Sequence, residues 1–318
     1  MRIRSVALAV ALLPLAAGAC TAPRAAAVPD ASALSAPAPS LADLQARMLA
    51  RIAEVPGARV GLSYLDLGGG DTLHLRADTA FHAASTMKVP VLVELVRRSE
   101  LGELPLDSTI VLRNEFSSIV DGSPYALSAG DDSDSLLYDR VGEPVRLREL
   151  AERMIVRSSN LATNALIEVL GAGSIRATTA RLGAPEMRVL RGVEDGLAYE
   201  RGLNNTTTAR SLAHLMRAIE EGRAASPAGT EEIRRILLGQ EFDSEIPAGL
   251  PPGTPVAHKT GWITATTHDA AIVYPPARPP FVLVVLTGAI PERAVAQRLM
   301  ADLARLAWEH HAARHAGG

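Results

Sequence analysis

The chain has 318 residues, 47% of them hydrophobic, which is enough to bury a sizeable core in one large or two smaller domains and too apolar for a disordered protein. A formal net charge of -3 and a pI near 6.3 leave no basic excess, so a nucleic-acid surface is excluded on charge grounds. The balance favours chemistry on small molecules or peptides.

The first elements read as an address rather than as fold. Arg2 and Arg4 precede an apolar run from Val6 to Ala19 that is short for a membrane span, which makes residues 1–20 an export signal. Cys20, the only cysteine, follows Leu15-Ala16-Ala17-Gly18-Ala19, which resembles the lipobox of bacterial lipoproteins, whose cysteine is lipid-modified. Soluble export with cleavage after Ala25-Ala26-Ala27 is the alternative; the unpaired cysteine favours the lipoprotein reading, and neither permits an internal disulfide. The expected location is the periplasm, with the membrane touched only through this anchor. Residues 21–40, rich in Ala, Pro and Ser without periodicity, form a tether, and residues 41–318 form the folded domain.

Leu41, Leu44, Met48, Ile52 and Val55 recur at helical spacing and stop at Pro56-Gly57. Arg59 to Leu67 and Thr72 to Leu75 form a hairpin about Gly68-Gly69-Gly70-Asp71. A buried helix starts near Ser85 and runs through Val96, with Pro90 early enough for its missing N–H to be tolerated. Residues 113–137 read as a polar loop, with Asp131, Asp132 and Asp134 as solvated acids. Two helices meet at Ser158-Ser159-Asn160, where side chains can project into a cleft. Gly183 to Asn205 is a long polar loop, and loops of that length are usually functional or mobile.

Helices follow over Leu212 to Ile219 and over Ile233 to Leu237. The last section reads as strands Val256 to Thr267, Asp269 to Tyr274 and Phe281 to Thr287, closed by a helix through Val295 to Trp308. Strands at both ends with helices between them predict an α+β fold: an antiparallel sheet of about five strands packed with helices, plus an all-helical lobe. Ser85, Ser158 and Lys259 then converge in the cleft between lobe and sheet.

Ser85-x-x-Lys88 places a hydroxyl and an amine on one helix face, so that a partly neutral Lys88 can accept the serine proton. Ser85 is the candidate nucleophile. With Ser158-x-Asn160 and Lys259-Thr260-Gly261 following in order, the chain resembles the class A β-lactamases and penicillin-recognising serine hydrolases from about Leu41 to His310. The resemblance implies an acyl-enzyme on Ser85, with Lys88 as base or relay and the backbone N–H groups of Ser85 and Trp262 as oxyanion hole. It implies that Ser158 protonates the leaving nitrogen, Lys259 polarises Ser158, Asn160 binds an amide carbonyl, and Thr260, beside Gly261, binds the substrate carboxylate. The implied protein is a monomer acting on a β-lactam or related acyl substrate without a cofactor.

Three departures matter. Ser159 stands where the family usually has Asp, which removes a buried anion. His268 stands where many members place an arginine near the substrate carboxylate, giving a weaker, pH-sensitive clamp or a strand histidine bonded to a neighbour. For deacylation, Glu200-Arg201-Gly202-Leu203-Asn204 matches the family's E-x-x-L-N pattern, with Glu194 as second candidate. Without a working acid the protein would hold its acyl group as a sensor or sink; a peptidase or esterase of the same fold is a further alternative. No metal site is expected, and His310-His311 read as an exposed helix end.

Overall fold

The computed structural model describes residues 40–316, preceded by the isolated positions Ala9 and Ala11. The export signal, Cys20 and the tether up to Pro39 lie outside the described residues. Ser40 caps helix α1 (Leu41–Ala53): its Oγ accepts from the Asp43 N–H at 3.1 Å while the Asp43 carboxylate accepts from the Ser40 N–H at 3.1 Å. Strands β1 (Arg59–Asp66) and β2 (Thr72–Leu75) follow as the expected hairpin.

The helical lobe contains α2 (Lys88–Glu100), α3 (Leu147–Val156), α4 (Asn160–Leu170), α5 (Ala172–Arg181), the short α6 (Gly196–Glu200), α7 (Ala209–Glu220) and α8 (Pro227–Leu238). The chain then returns as β3 (Val256–Ile263), β4 (Thr266–Val273) and β5 (Phe281–Gly288), and ends in α9 (Arg293–Arg314). The sheet is antiparallel, in the order β2-β1-β5-β4-β3, so both ends of the domain build it. The turn between β3 and β4 falls at Thr264-Ala265, not after Thr267 as the sequence suggests. Ile263 pairs with Thr266 across a two-residue loop that holds Ala265 at φ 54°, a conformation usually given to Gly or Asn. A loop without those residues is silent in a sequence.

Both faces of the sheet are buried, and the side-chain alternation of period two divides them cleanly. On β5, Val282, Val284 and Leu286 face the helical lobe, while Phe281, Leu283 and Val285 pack with α1 and α9. Helix α2 runs through the lobe with every residue from Lys88 to Val96 buried. Two expectations of exposure fail here. Asp132 and Asp134 are buried, at 7% and 2% exposure, and His310 and His311 are buried at 1% each, because α9 lays its last turns against the β1–β2 hairpin.

A buried histidine on β3 links the sheet to pH. His258 Nδ1 lies 3.0 Å from Asp269 Oδ1, and its Nε2 lies 3.5 Å from Asp243 Oδ1. Burial opposes its charge, but the Asp269 and Asp243 carboxylates outweigh that and push its pKa up to about 9 from 6.5. The stabilisation is therefore complete below about pH 6.5 and is lost as pH rises through about 9. Thermal melts should show the stability difference between wild type and His258→Gln shrinking from pH 6 to pH 9; a constant difference contradicts this.

Candidate active site

Ser85 owes its position to a strained turn. Phe81-His82 pairs with Thr206-Thr207, after which Ala84 takes φ 45° and donates its N–H to His82 Nδ1 at 3.0 Å. A 3₁₀ turn over Ala84–Met87 then feeds α2, so Ser85 precedes the α-helix rather than starting it. Strand β3 passes so close that a Cβ on Gly261 would lie 2.7 Å from the Ser85 nitrogen and 2.9 Å from that of Thr86. Only glycine permits this approach, which brings the Lys-Thr-Gly strand against the turn that carries Ser85.

Beneath Ser85 two amines are fully buried. Lys88 Nζ donates to Ser158 O at 2.6 Å, Asn160 Oδ1 at 2.9 Å and Ser158 Oγ at 3.2 Å. Lys259 Nζ donates to Ser158 Oγ at 3.1 Å and to Thr260 O at 2.9 Å. The Ser158 hydroxyl thus accepts from both amines and keeps its own proton free to give. Burial drives the Lys88 pKa down to about 7 against the pull of Asp132 and Glu194. Lys259 is lowered too, by burial and by the neighbouring Lys88 charge. Ser158, at the α3–α4 junction, has φ 58°.

Above them opens a cavity of about 390 Å³ lined by Ser85, Asn160, Glu194, Tyr199, Asn205 and Trp262 among others. Of the two acids in its lining, Asp195 is engaged by the Ser118 hydroxyl and the Ile119 and Ala198 N–H groups, and the other is Glu194, whose carboxylate accepts from Asn160 Nδ2 at 2.7 Å. Burial raises its pKa, with Asp132 and Asp131 adding to the rise and the Asn160 hydrogen bond opposing it. Glu200, matched by its sequence pattern, lies outside the cavity lining; Glu194 and Glu200 are both exposed, so it is the lining that separates them. The reason is local: Asp195 caps α6 by accepting the Ala198 N–H at 3.0 Å, and that turn aims Tyr199 at the cleft and Glu200 at solvent.

Residues the sequence did not single out hold Glu194 in place. Asn164 accepts the Val193 N–H at 2.6 Å and donates to Val193 O at 3.1 Å. Asn205 accepts the N–H groups of Leu190 and Arg191 at 2.8 and 3.2 Å, and Arg191 donates to Leu203 O and Gly192 O, both at 2.9 Å. Glu194 itself is held at φ 62°. Asn164 follows Asn160 by one helical turn, a spacing that puts the two on one helix face and that the sequence carries.

The structure does not bear out His268 as a carboxylate clamp, since it is absent from the cavity lining. His268 is fully buried: its Nε2 lies 2.8 Å from His82 O, and its Nδ1 lies 2.8 Å from Thr267 O and 3.1 Å from the Thr287 nitrogen. Burial pushes its pKa down to about 4, so it is a neutral strut between strands and not a cleft cation. Thr260 is also buried, its Oγ1 without a hydrogen-bond partner among the described residues. The Trp262 ring beside it is stacked by the Arg293 guanidinium at 3.7 Å and met edge-on by Phe242 at 5.1 Å.

The anion that Ser159 removes comes back from another element. Asp132 Oδ2 accepts the N–H groups of Asn160 and Leu161 at 2.8 and 2.9 Å and the Tyr138 hydroxyl at 3.1 Å, with Ser159 Oγ at 3.4 Å. A carboxylate at the first turn of α4 satisfies orphan donors and favours the helix dipole. Ser159 is left to cap the helix, accepting the Ala162 N–H at 3.2 Å. Asp132→Asn should therefore cost about 1–3 kcal/mol of stability by thermal or urea unfolding; a neutral result would show that the helix start does not need the charge.

The chain matches the model of the β-lactamase enzyme family over residues 43–311. It is 30% identical to β-lactamase AST-1 of Nocardia asteroides over 242 residues, covering 75% of this chain and 74% of that protein. Among solved structures, that of PBP-A superposes with a TM-score of 0.73 at 27% identity, covering 85% of this chain and 96% of that one. An ancestral class A β-lactamase superposes with a TM-score of 0.72 at 26% identity, covering 84% and 99%. With a serine, two buried amines and an acid around one cleft, the chain is a serine hydrolase that belongs to the β-lactamase enzyme family.

Proposed function

We propose that the protein opens the amide of β-lactams through an acyl-enzyme on Ser85 and hydrolyses that intermediate with Glu194. The observation that carries the reading is that Ser85 and Glu194 line the same cavity, above the hydrogen-bonded row Lys88–Ser158–Lys259. A Lys88 pKa near 7 leaves a large neutral fraction at neutral pH, able to take the Ser85 proton as Oγ attacks the carbonyl carbon. The backbone N–H groups of Ser85 and Trp262 take the oxyanion. Ser158 passes its proton to the leaving nitrogen and is reprotonated from the adjacent amines. Glu194, its carboxylate oriented by Asn160, then accepts a proton from the water that attacks the acyl carbonyl, and that proton is returned to Ser85 Oγ as the ester bond breaks.

A mutant of the similar PBP-A, 27% identical with a TM-score of 0.73, was solved as an acyl-enzyme complex with penicillin-G, which supports the same first step here. Intact-protein mass spectrometry with penicillin-G tests the second. Glu194→Gln should retain a stoichiometric adduct, with deacylation slowed about 10²-fold or more, while wild type and Glu200→Gln return to the unmodified mass. Unchanged turnover in Glu194→Gln defeats the assignment. A persistent adduct on wild type instead favours a penicillin-binding protein that does not turn over.

The N-terminal segment supports export to the periplasm, with lipid on Cys20 holding the domain at a membrane. Cys20→Ser should shift the protein from the membrane pellet to the soluble fraction of a fractionated cell. Membrane association unchanged by the substitution rules this anchor out.

A further inference from the structure

A second cluster of side chains sits at the far end of the sheet. Asp66 lies at the end of β1, five residues beyond Gly61, whose row across the sheet reaches Gly261 beside Ser85 three strands away. At about 3.3 Å per residue and about 4.8 Å per strand, that is roughly 20 Å from the nucleophile. Here the last turns of α9 bring His311 and His315, one helical turn apart, against the Asp66 carboxylate. The three candidate donor atoms all lie within 4.8 Å of one another.

The surrounding contacts orient these atoms as ligands are oriented. Asp66 Oδ1 accepts the N–H groups of Gly68 and Gly69 at 2.9 and 3.0 Å, leaving Oδ2 to meet His315 Nε2 at 2.8 Å. His311 Nε2 donates to Pro279 O at 2.9 Å, which leaves the Nδ1 lone pair facing the Tyr64 hydroxyl at 3.0 Å and Asp66 Oδ1 at 3.9 Å. An imidazole whose other nitrogen is fixed on a backbone carbonyl is the usual partner arrangement behind a metal-bound histidine. The two rings stand 4.5 Å apart between centroids. A Cβ on Gly69 would come within 2.5 Å of Asp66 Oδ2 and 3.5 Å of His315 Cε1, so glycine keeps this space open. The Asp66 and His311 side chains are 1% exposed, and that of His315 is 18% exposed, giving an entrance from solvent.

We propose that Asp66, His311 and His315 form a binding site for a borderline divalent transition cation of the Zn²⁺ type, clamping the end of α9 to the β1–β2 turn. Two imidazole nitrogens and one carboxylate suit such an ion, with a water completing the set on the His315 side, whereas Mg²⁺ and Ca²⁺ ask for more oxygens. Binding moves the His315 ring proton to Nδ1 or to solvent, frees Nε2 for the ion, and turns the Tyr64 O–H away from His311 Nδ1. The His311-x-x-x-His315 spacing carries this pair in the sequence; the carboxylate, 245 residues earlier than His311, appears only in the fold.

The test uses the full chain without a purification tag, in a Cys20→Ser background, stripped with chelator and titrated with ZnCl₂ by calorimetry. About one equivalent should bind, and Zn²⁺ but not Mg²⁺ should raise the melting temperature. His315→Gln, at the solvent edge, should weaken binding at least about tenfold, no less than loss of an outer partner costs a metal site. Co²⁺ should give a visible absorption band that the folded His315→Gln protein lacks. Absence of a Zn²⁺-dependent melting shift in the wild-type cluster, or binding equal in the His315→Gln protein, overturns the proposal.

Discussion

Two lysine amines buried beside one serine are the constraint on which the catalytic half of this molecule depends. Lys88 and Lys259 are fully buried, and their hydrogen-bond partners among the described residues are the oxygens of Ser158, Asn160 and Thr260 rather than a carboxylate. Holding both as ammonium ions would cost several kcal/mol each, so the protein lowers their proton affinity instead. That is a liability for stability, and it leaves Lys88 partly neutral near pH 7, the state the proposed proton transfer from Ser85 requires.

Backbone around the cleft sits in unfavourable places. Of the non-glycine residues with positive φ among the described residues, Ala84, Ser158 and Glu194 all flank the cleft. Each such conformation costs about 1–3 kcal/mol and persists only where its surroundings over-determine it. The surroundings here are identifiable: β3 pressed on the Ser85 turn through Gly261, Asp132 gripping the start of α4, and Arg191, Asn164 and Asn205 stitching the loop that presents Glu194.

Polar groups on the sheet divide in the same way as the apolar ones. Lys259 faces the helical lobe, while His258 and Asp269 face the α9 side and form a separate ion pair. His268, one residue before Asp269, locks β4 to the segment that precedes Ser85 and gives up any charge in doing so. The sheet therefore supports the site by rigid placement and leaves the cleft surface to Trp262, Tyr199 and the Glu194 loop.

The sequence by itself determined the family boxes, the α+β order of elements, the pairing of the chain's ends in one sheet, and Ser85, Lys88, Ser158 and Lys259 as a set. These are carried by short local patterns: an i, i+3 pair, period-two strands, and a glycine where backbone must pass close. Only the tertiary structure shows Glu194 lining the cleft and Glu200 outside it, because a single capped turn of α6 sets which acid faces the cavity, and a motif match carries no direction. The burial of His268 and Thr260, the return of the missing anion from Asp132, and the meeting of His311 and His315 with Asp66 were likewise hidden. Each depends on a contact between residues distant in the chain, and side-chain direction across such a contact is fixed by packing, not by spacing.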